Sequence, residues 1–254
     1  MQQHDEESNE HADELHDREL FTQPDETHLG ECPLCFLPLP IDLGKSRSYS
    51  CCSQIICNGC ILANVRSNKH DQVKARSCAF CRELVSKKWE TRKNLMKRVK
   101  ANDPAAMRQM GLECYREGNC DGAIEYYTKA AELGNFHAHF KLGVMRMNGE
   151  GGEKDEEKAV YHWEKAAIGG HPQARYNLGC YEERHGTMER SVKHFVISAN
   201  LGFENSMKAL WKHYSAGNIT KEDLDATLRT HQAAIDAMKT AQRDAAEVAF
   251  RKFK

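Results

Sequence analysis

Between Cys32 and Cys81 the chain carries eight cysteines in about fifty residues. Six form the Cys-x-x-Cys pairs Cys32/Cys35, Cys57/Cys60 and Cys78/Cys81, and the other two, Cys51 and Cys52, are adjacent. A Cys-x-x-Cys loop presents two thiolates to one tetrahedral ion, and two such loops complete an S4 site with Zn–S distances of about 2.3 Å. Eight thiols therefore suit two zinc ions. A disulfide framework would need an oxidising compartment. The opening MQQHDEESNE has neither the basic nor the apolar region of a secretory signal. Compartment and ligand chemistry together favour zinc over disulfides and over iron–sulfur. Cys114, Cys120 and Cys180 have no Cys-x-x-Cys partner and read as packing or surface thiols.

The 254 residues suit one or two domains plus tails. A net charge of −1 gives no whole-chain field for nucleic acid, and that partner class is disfavoured. The charged fraction is 29% and the mean hydropathy −0.71, which predicts a solvated helical protein with disordered ends. No run of 18 apolar residues exists, so no membrane span is expected and a cytoplasmic or nuclear location is. Residues 1–30 set ten acidic side chains against Arg18 alone and predict a disordered acidic tail. His4, His11, His16 and His28 are irregularly spaced within it and read as solvated.

The ligand order over residues 31–84 is a pair, a long gap, two single ligands, a pair, a gap and a pair. In this order the stretch resembles a RING finger. The resemblance implies interleaved sites, with Cys32, Cys35, Cys57 and Cys60 on one ion and Cys51, Cys52, Cys78 and Cys81 on the other. Each ion would then tie together segments distant in sequence, so that metal binding energy serves as folding energy. Adjacent Cys51 and Cys52 depart from the family spacing. Either the loop kinks there and both bind, or one binds alone, and the eight-thiol count favours both. Between the ligands, Pro38, Pro40 and Gly44 break structure, Ile55 and Ile56 predict a short strand, and Ile61, Leu62 and Val65 predict a helical turn or two. His70 lies in a polar loop and reads as solvated.

RING domains commonly act as ubiquitin ligases by holding a ubiquitin-charged conjugating enzyme in a reactive pose, without a nucleophile of their own. The resemblance places the enzyme-packing apolar residue at Leu34 and the basic residue after the last ligand at Arg82. It assigns no catalytic residue, and both zinc ions would be structural because sulfur fills every position. No tryptophan precedes the seventh ligand, and Cys78-Ala79-Phe80-Cys81 lacks the commoner proline. Leu34 as knuckle packing and Arg82 as a surface charge are the plainer alternatives.

Residues 85–103 form a basic joint, where from Lys87 to Lys100 the cations Lys87, Lys88, Arg92, Lys93, Lys97, Arg98 and Lys100 stand against Glu90. Trp89, Leu95, Met96 and Val99 give partial apolar spacing. The stretch predicts a solvated linking helix, with a phosphate-binding or nuclear-import patch as the sharper alternative.

Self-similar blocks follow over residues 104–217. AMRQMG from Ala106, AHFKLG from Ala138 and ARYNLG from Ala174 are each succeeded by a second block, AIEYYTKAAELG, AVYHWEKAAIGG and SVKHFVISANLG. The spacing predicts helix pairs stacked as a solenoid. Ala and Gly, with Gly111, Gly143 and Gly179 among them, sit where helices approach, and Tyr126, Tyr127, Tyr161, Trp163, His194 and Phe195 alternate with them, large against small. Gly134, Gly170 and Gly202 are placed to end each second helix. The middle copy, from Leu142 through Lys158-Ala159 to Gly170, resembles a Sel1-like repeat, a relative of the tetratricopeptide repeats. The resemblance implies a scaffold that binds a protein. No histidine pair at helical spacing stands out as a metal or acid–base site. Residues 218–254, opened by Thr220 and Asp223, predict a long helix that packs on the last repeat and runs into solvent.

The expected fold is therefore mainly α, a small zinc-stapled RING-like module followed by an α-helical Sel1-like solenoid and a long C-terminal helix. The expected function is a ubiquitin ligase or ligase subunit with a conjugating enzyme and a repeat-bound protein as partners. The alternative is a non-catalytic adaptor with purely structural zinc.

Overall fold

Small residues facing rings fix how the repeat helices pair. The computed structural model describes residues 14–85 and 88–251, with backbone alone for Lys88 and Trp89, so Lys87 and the Trp89 side chain of the basic stretch lie outside the described residues. In chain order, the strands β1 (Ser46–Ser48) and β2 (Ile55–Cys57) precede the helices α1 (Asn58–Ser67), α2 (Gln72–Ala75) and α3 (Lys88–Val99). The helix pairs are α4 (Pro104–Arg116) with α5 (Cys120–Glu132), α6 (Phe136–Asn148) with α7 (Glu156–Ile168), and α8 (Pro172–Arg184) with α9 (Met188–Asn200). They are followed by α10 (Glu204–Ser215), α11 (Lys221–Ala237) and α12 (Ala241–Arg251).

A methyl group at Gly111 would lie 2.8 Å from the Tyr127 ring, at Gly143 2.5 Å from Trp163, and at Gly179 2.6 Å from Phe195. Carbon atoms pack at about 3.5–4.0 Å, so any larger residue would drive the paired helices apart. The same three rings are the buried centres of their repeats. Local chemistry sets the boundaries. Asp103, Asn119, Asn135 and Asp155 accept from backbone N–H groups at the starts of α4 to α7. Gly134, Gly170 and Gly202 follow α5, α7 and α9 with positive φ, as their sequence positions predict.

Residues 14–30 differ from the disordered tail that their acidity predicts, while residues 1–13 lie outside the described residues. Residues 14–20 are helical, and Leu20 is buried against Trp163, Ala166 and Leu178. Arg175, itself fully buried, donates to the carbonyls of Leu20 and Thr22. Arg190 donates to Asp17 at 2.5 Å and to Glu182 at 2.9 Å. A few apolar side chains and a matched cation are enough to dock a segment whose average composition is that of a solvated chain. Further on, His28 N–H donates to Gly170 O at 3.0 Å. Gly170 has φ +75°, and a methyl group there would meet Glu26 O at 2.5 Å, so only glycine admits the segment.

The basic helix α3 also packs more closely than a solvated linker. Leu95 is buried with Ala106 and Met110, and Arg92 pairs with Glu117 at 2.7 Å. The C-terminal helical stretch is divided at residues 238–240. Thr240 accepts from Arg243 N–H and so starts α12, while the Arg243 guanidinium takes the Met238 carbonyl that ends α11. Instead of entering solvent, α12 turns back onto α1. Gln242 donates to Gly59 O, Lys45 pairs with Glu247, and Phe250 packs against the core of the cysteine-rich module.

Candidate metal centres

Three turns of one design position the sulfurs. In the first, Cys32 N–H donates to Leu37 O and Phe36 N–H donates to Cys32 O, with Phe36 at φ +54°. In the last, Cys78 N–H donates to Glu83 O and Arg82 N–H to Cys78 O, with Arg82 at φ +64°. The middle turn repeats the pattern: Tyr49 N–H donates to Gln54 O, Ser53 N–H donates to Tyr49 O, and Ser53 has φ +59°. Cys52 therefore stands where Cys35 and Cys81 stand in their turns, and Tyr49 occupies the place of the first cysteine. Cys51 precedes the turn's left-handed bend by two residues. This is the backbone kink that adjacent ligands require, and it brings both thiols to one place. The fourth pair is helical: Cys57 ends β2 and begins α1, with Cys60 in the first turn. Thiolate charge is favoured at a helix N-terminus.

Two sulfur groups result, Cys32, Cys35, Cys57 and Cys60 in one and Cys51, Cys52, Cys78 and Cys81 in the other. Sγ–Sγ distances are 3.9 Å for Cys32–Cys60 and 3.8 Å for Cys35–Cys57. In the second group they are 4.0 Å for Cys51–Cys52, 3.8 Å for Cys52–Cys78 and 3.4 Å for Cys51–Cys81. A tetrahedron with Zn–S bonds of about 2.3 Å has edges of about 3.8 Å, so both groups have the size of an S4 site. All eleven cysteines are free thiols. Either group could hold a metal ion, and the order along the chain is interleaved.

The electrostatics show what a cation would relieve. A hydrogen bond from Cys57 holds Cys32 low, at about 4, and the same contact pushes Cys57 up. Burial pushes Cys60 up to about 12, Cys52 up to about 11, and Cys51 up as well. Four clustered thiols cannot all ionise beside one another. A divalent ion would remove that conflict by making each thiolate a ligand. Arg243 adds an outer contact, donating to Cys35 Sγ at 3.4 Å while its other bonds reach Pro38 O and Leu37 O.

Leu34 and Arg82 lie at the tips of the first and last turns, both exposed. Phe36 is 72% exposed beside Leu34. His70 is exposed, as its polar loop predicts. Arg98 donates to Ser53 Oγ at 2.8 Å, to Asp103 Oδ2 at 2.6 Å and to Cys51 O at 3.4 Å. The module is thus bonded to the first repeat through Arg98 and to α12 through Arg243.

The family model described as Sel1 repeat matches residues 104–135, 136–171 and 172–203. Residues 104–203 are three Sel1 repeats. Their first helices are α4, α6 and α8, and each match ends just beyond the glycine that follows the second helix. The fold is similar to that of a Sel1 repeat protein from Oxalobacter formigenes, with a TM-score of 0.52 at 20% identity, over 76% of this chain and 88% of that one. A protective antigen of uropathogenic Escherichia coli with an SLR fold matches at a TM-score of 0.47 and 22% identity, over 67% of this chain and 37% of that one. The family match does not extend to the cysteine-rich residues. No helix among the described residues is long and apolar enough to cross a membrane.

A third group of ligand atoms escapes any reading of spacing. His28, His137 and His171 converge where the N-terminal segment crosses the Sel1 repeats. They are separated by 109 and 34 positions, and His28 sits in a stretch that reads as solvated. No local pattern could have joined them.

Proposed function

We propose that each sulfur group holds one structural zinc ion, and that the module over residues 31–84 is a RING-like platform on a Sel1 repeat scaffold. In this reading the Sel1 repeats hold a protein target, and the module holds a ubiquitin-charged conjugating enzyme beside it. The observation that carries the reading is the interleaving of two tetrahedron-sized sulfur groups, the arrangement the RING resemblance implies. Leu34 would pack against the enzyme from the tip of the first turn, and Arg82 would bond from the tip of the last. Both act by positioning, so no side chain of this chain need form a covalent intermediate.

The test is ubiquitin discharge and autoubiquitination by the full chain with a panel of conjugating enzymes. Leu34→Ala and Arg82→Ala should each cut the rate at least several-fold while keeping both sulfur-bound zinc ions. Unchanged rates in both variants would remove their assigned roles.

A second reading, a non-catalytic adaptor, draws on the bonding of the module at both sides. Arg98 and Arg243 make it a brace between the first repeat and α12. A wild-type chain that discharges none of the charged enzymes, with both ions in place, would select the brace.

A further inference from the structure

We propose that His28, His137 and His171 form a third metal site, an all-nitrogen site for a borderline divalent ion such as zinc, which pins the N-terminal segment to the Sel1 repeats. The three ligands come from three separate pieces of chain. His28 belongs to the docked N-terminal segment, His137 to the first turn of α6, and His171 to the start of α8. His28 Nε2 lies 3.4 Å from His137 Nδ1, and His171 Nε2 lies 3.1 Å from the same atom. A tetrahedral ion with Zn–N bonds of about 2.0–2.1 Å needs ligand atoms about 3.3–3.4 Å apart. Two edges of such a face are therefore already close to that spacing, all three ligand atoms lie within 4.8 Å of one another, and the fourth position is left to an outside donor.

The chemistry of the pocket fits. Burial holds all three imidazoles far on the neutral side, His28 down to about 4 and the other two well below their ordinary value, so each ring carries a lone pair at neutral pH. No carboxylate among the described residues pairs with any of them. His28 Nδ1 is buried with no hydrogen-bond partner. Phe140 stacks on the His171 ring and walls the pocket on one side. Imidazole suits zinc, copper, nickel and cobalt.

Two features set the character of the site. The His28 and His171 rings are stacked, with centroids 3.9 Å apart. An ion in the plane of both requires one ring to turn about its terminal torsion, which is a soft one. His171 Nδ1 also accepts a long contact of 3.4 Å from Ala174 N–H, which loading through Nε2 would exchange for a metal bond. Arg108 and Lys141 are the cations close enough to disfavour added positive charge, Arg108 at His28 and His137 and Lys141 at His137 and His171. They make this site weaker than the sulfur groups and favour an anion, such as hydroxide or chloride, as the fourth ligand.

The experiment is metal analysis of the full chain, stripped by chelator under reducing conditions and reloaded with zinc. Wild type should hold one equivalent more than His28→Gln and one more than His137→Gln. That difference counts only the histidine site, so it stands whatever the cysteines bind. With cobalt(II), the wild-type minus His28→Gln spectrum should show ligand-field bands without sulfur charge transfer. The extra equivalent should leave first on titration with chelator, and its loss should speed proteolysis between residues 14 and 30. His28 lies on the docked segment, and the far-ultraviolet circular dichroism of its variant should match wild type. Equal metal content in wild type and both variants would overturn the site, as would a difference spectrum carrying sulfur charge transfer.

Discussion

Acid should unfold this protein through His194, and the size of the effect follows from where that ring sits. His194 is fully buried in α9, with its ring centroid 4.8 Å from that of Phe21, and neither ring nitrogen has a hydrogen-bond partner. Burial first, then the nearby Arg175 and Arg190 cations, lower its pKa from 6.5 to about 3. The folded value lies below the unfolded one, so the unfolded chain binds the extra proton. The contribution is complete above about pH 6.5 and is lost progressively as the pH falls towards 3. At pH 5 the loss spans about 1.5 units, and at about 1.36 kcal/mol per unit it reaches roughly 2 kcal/mol. Against a total stability of about 5–15 kcal/mol this is a large share. The assay is urea unfolding followed by circular dichroism at pH 7 and pH 5, for wild type and His194→Leu. Both forms contain the same thiols and the same other histidines, so those contributions cancel in the comparison. Wild type should lose about 2 kcal/mol more than the variant between the two pH values. A difference below about 0.5 kcal/mol would show that the ring is not held neutral by its burial.

Gly143→Ala should destabilise the middle repeat by about 1–3 kcal/mol, because the new methyl group would meet Trp163 at 2.5 Å, and thermal melting reads it. Arg175→Met should release residues 14–30, since it removes the donors to Leu20 O and Thr22 O at a cost of about 1.5–3 kcal/mol each, and hydrogen exchange over that segment is the measurement. Cys52→Ser should lower the zinc content from two sulfur-bound ions to one, while Cys180→Ser should leave it unchanged. Arg243→Gln should loosen both α12 and the first sulfur group, seen as faster loss of one ion to chelator with the second unaffected.

The repeat architecture was legible because its signals are local. Gly134, Gly170 and Gly202 end the second helices where the sequence places them, and Gly143 faces a ring only twenty positions away in its own helix pair. The sulfur pairs were legible for a related reason: Cys-x-x-Cys spacing fixes the turn that presents each pair, while their interleaved grouping was what the RING resemblance implied. Even the adjacent Cys51 and Cys52 fit once the turn from Tyr49 to Gln54 is seen to match its neighbours. The docked N-terminal segment was not legible. Its five acidic residues describe its average, while Leu20 and Phe21 decide its fate by meeting a surface built from α7, α8 and α9. The break at residues 238–240 was hidden in the same way. Thr240 and Arg243 are unremarkable in a helical stretch until Met238 O, Pro38 O and Leu37 O come within reach.

By itself the amino-acid order determined which thiols are presented together as Cys-x-x-Cys pairs and where each second repeat helix stops, because these depend on bonding within a few residues. Tertiary structure alone decided that the acidic segment lies down, that α12 returns to the module, and that three histidines meet. Those contacts join positions up to about two hundred residues apart, and their stability resides in the fit of two finished surfaces, which no short stretch of either one encodes.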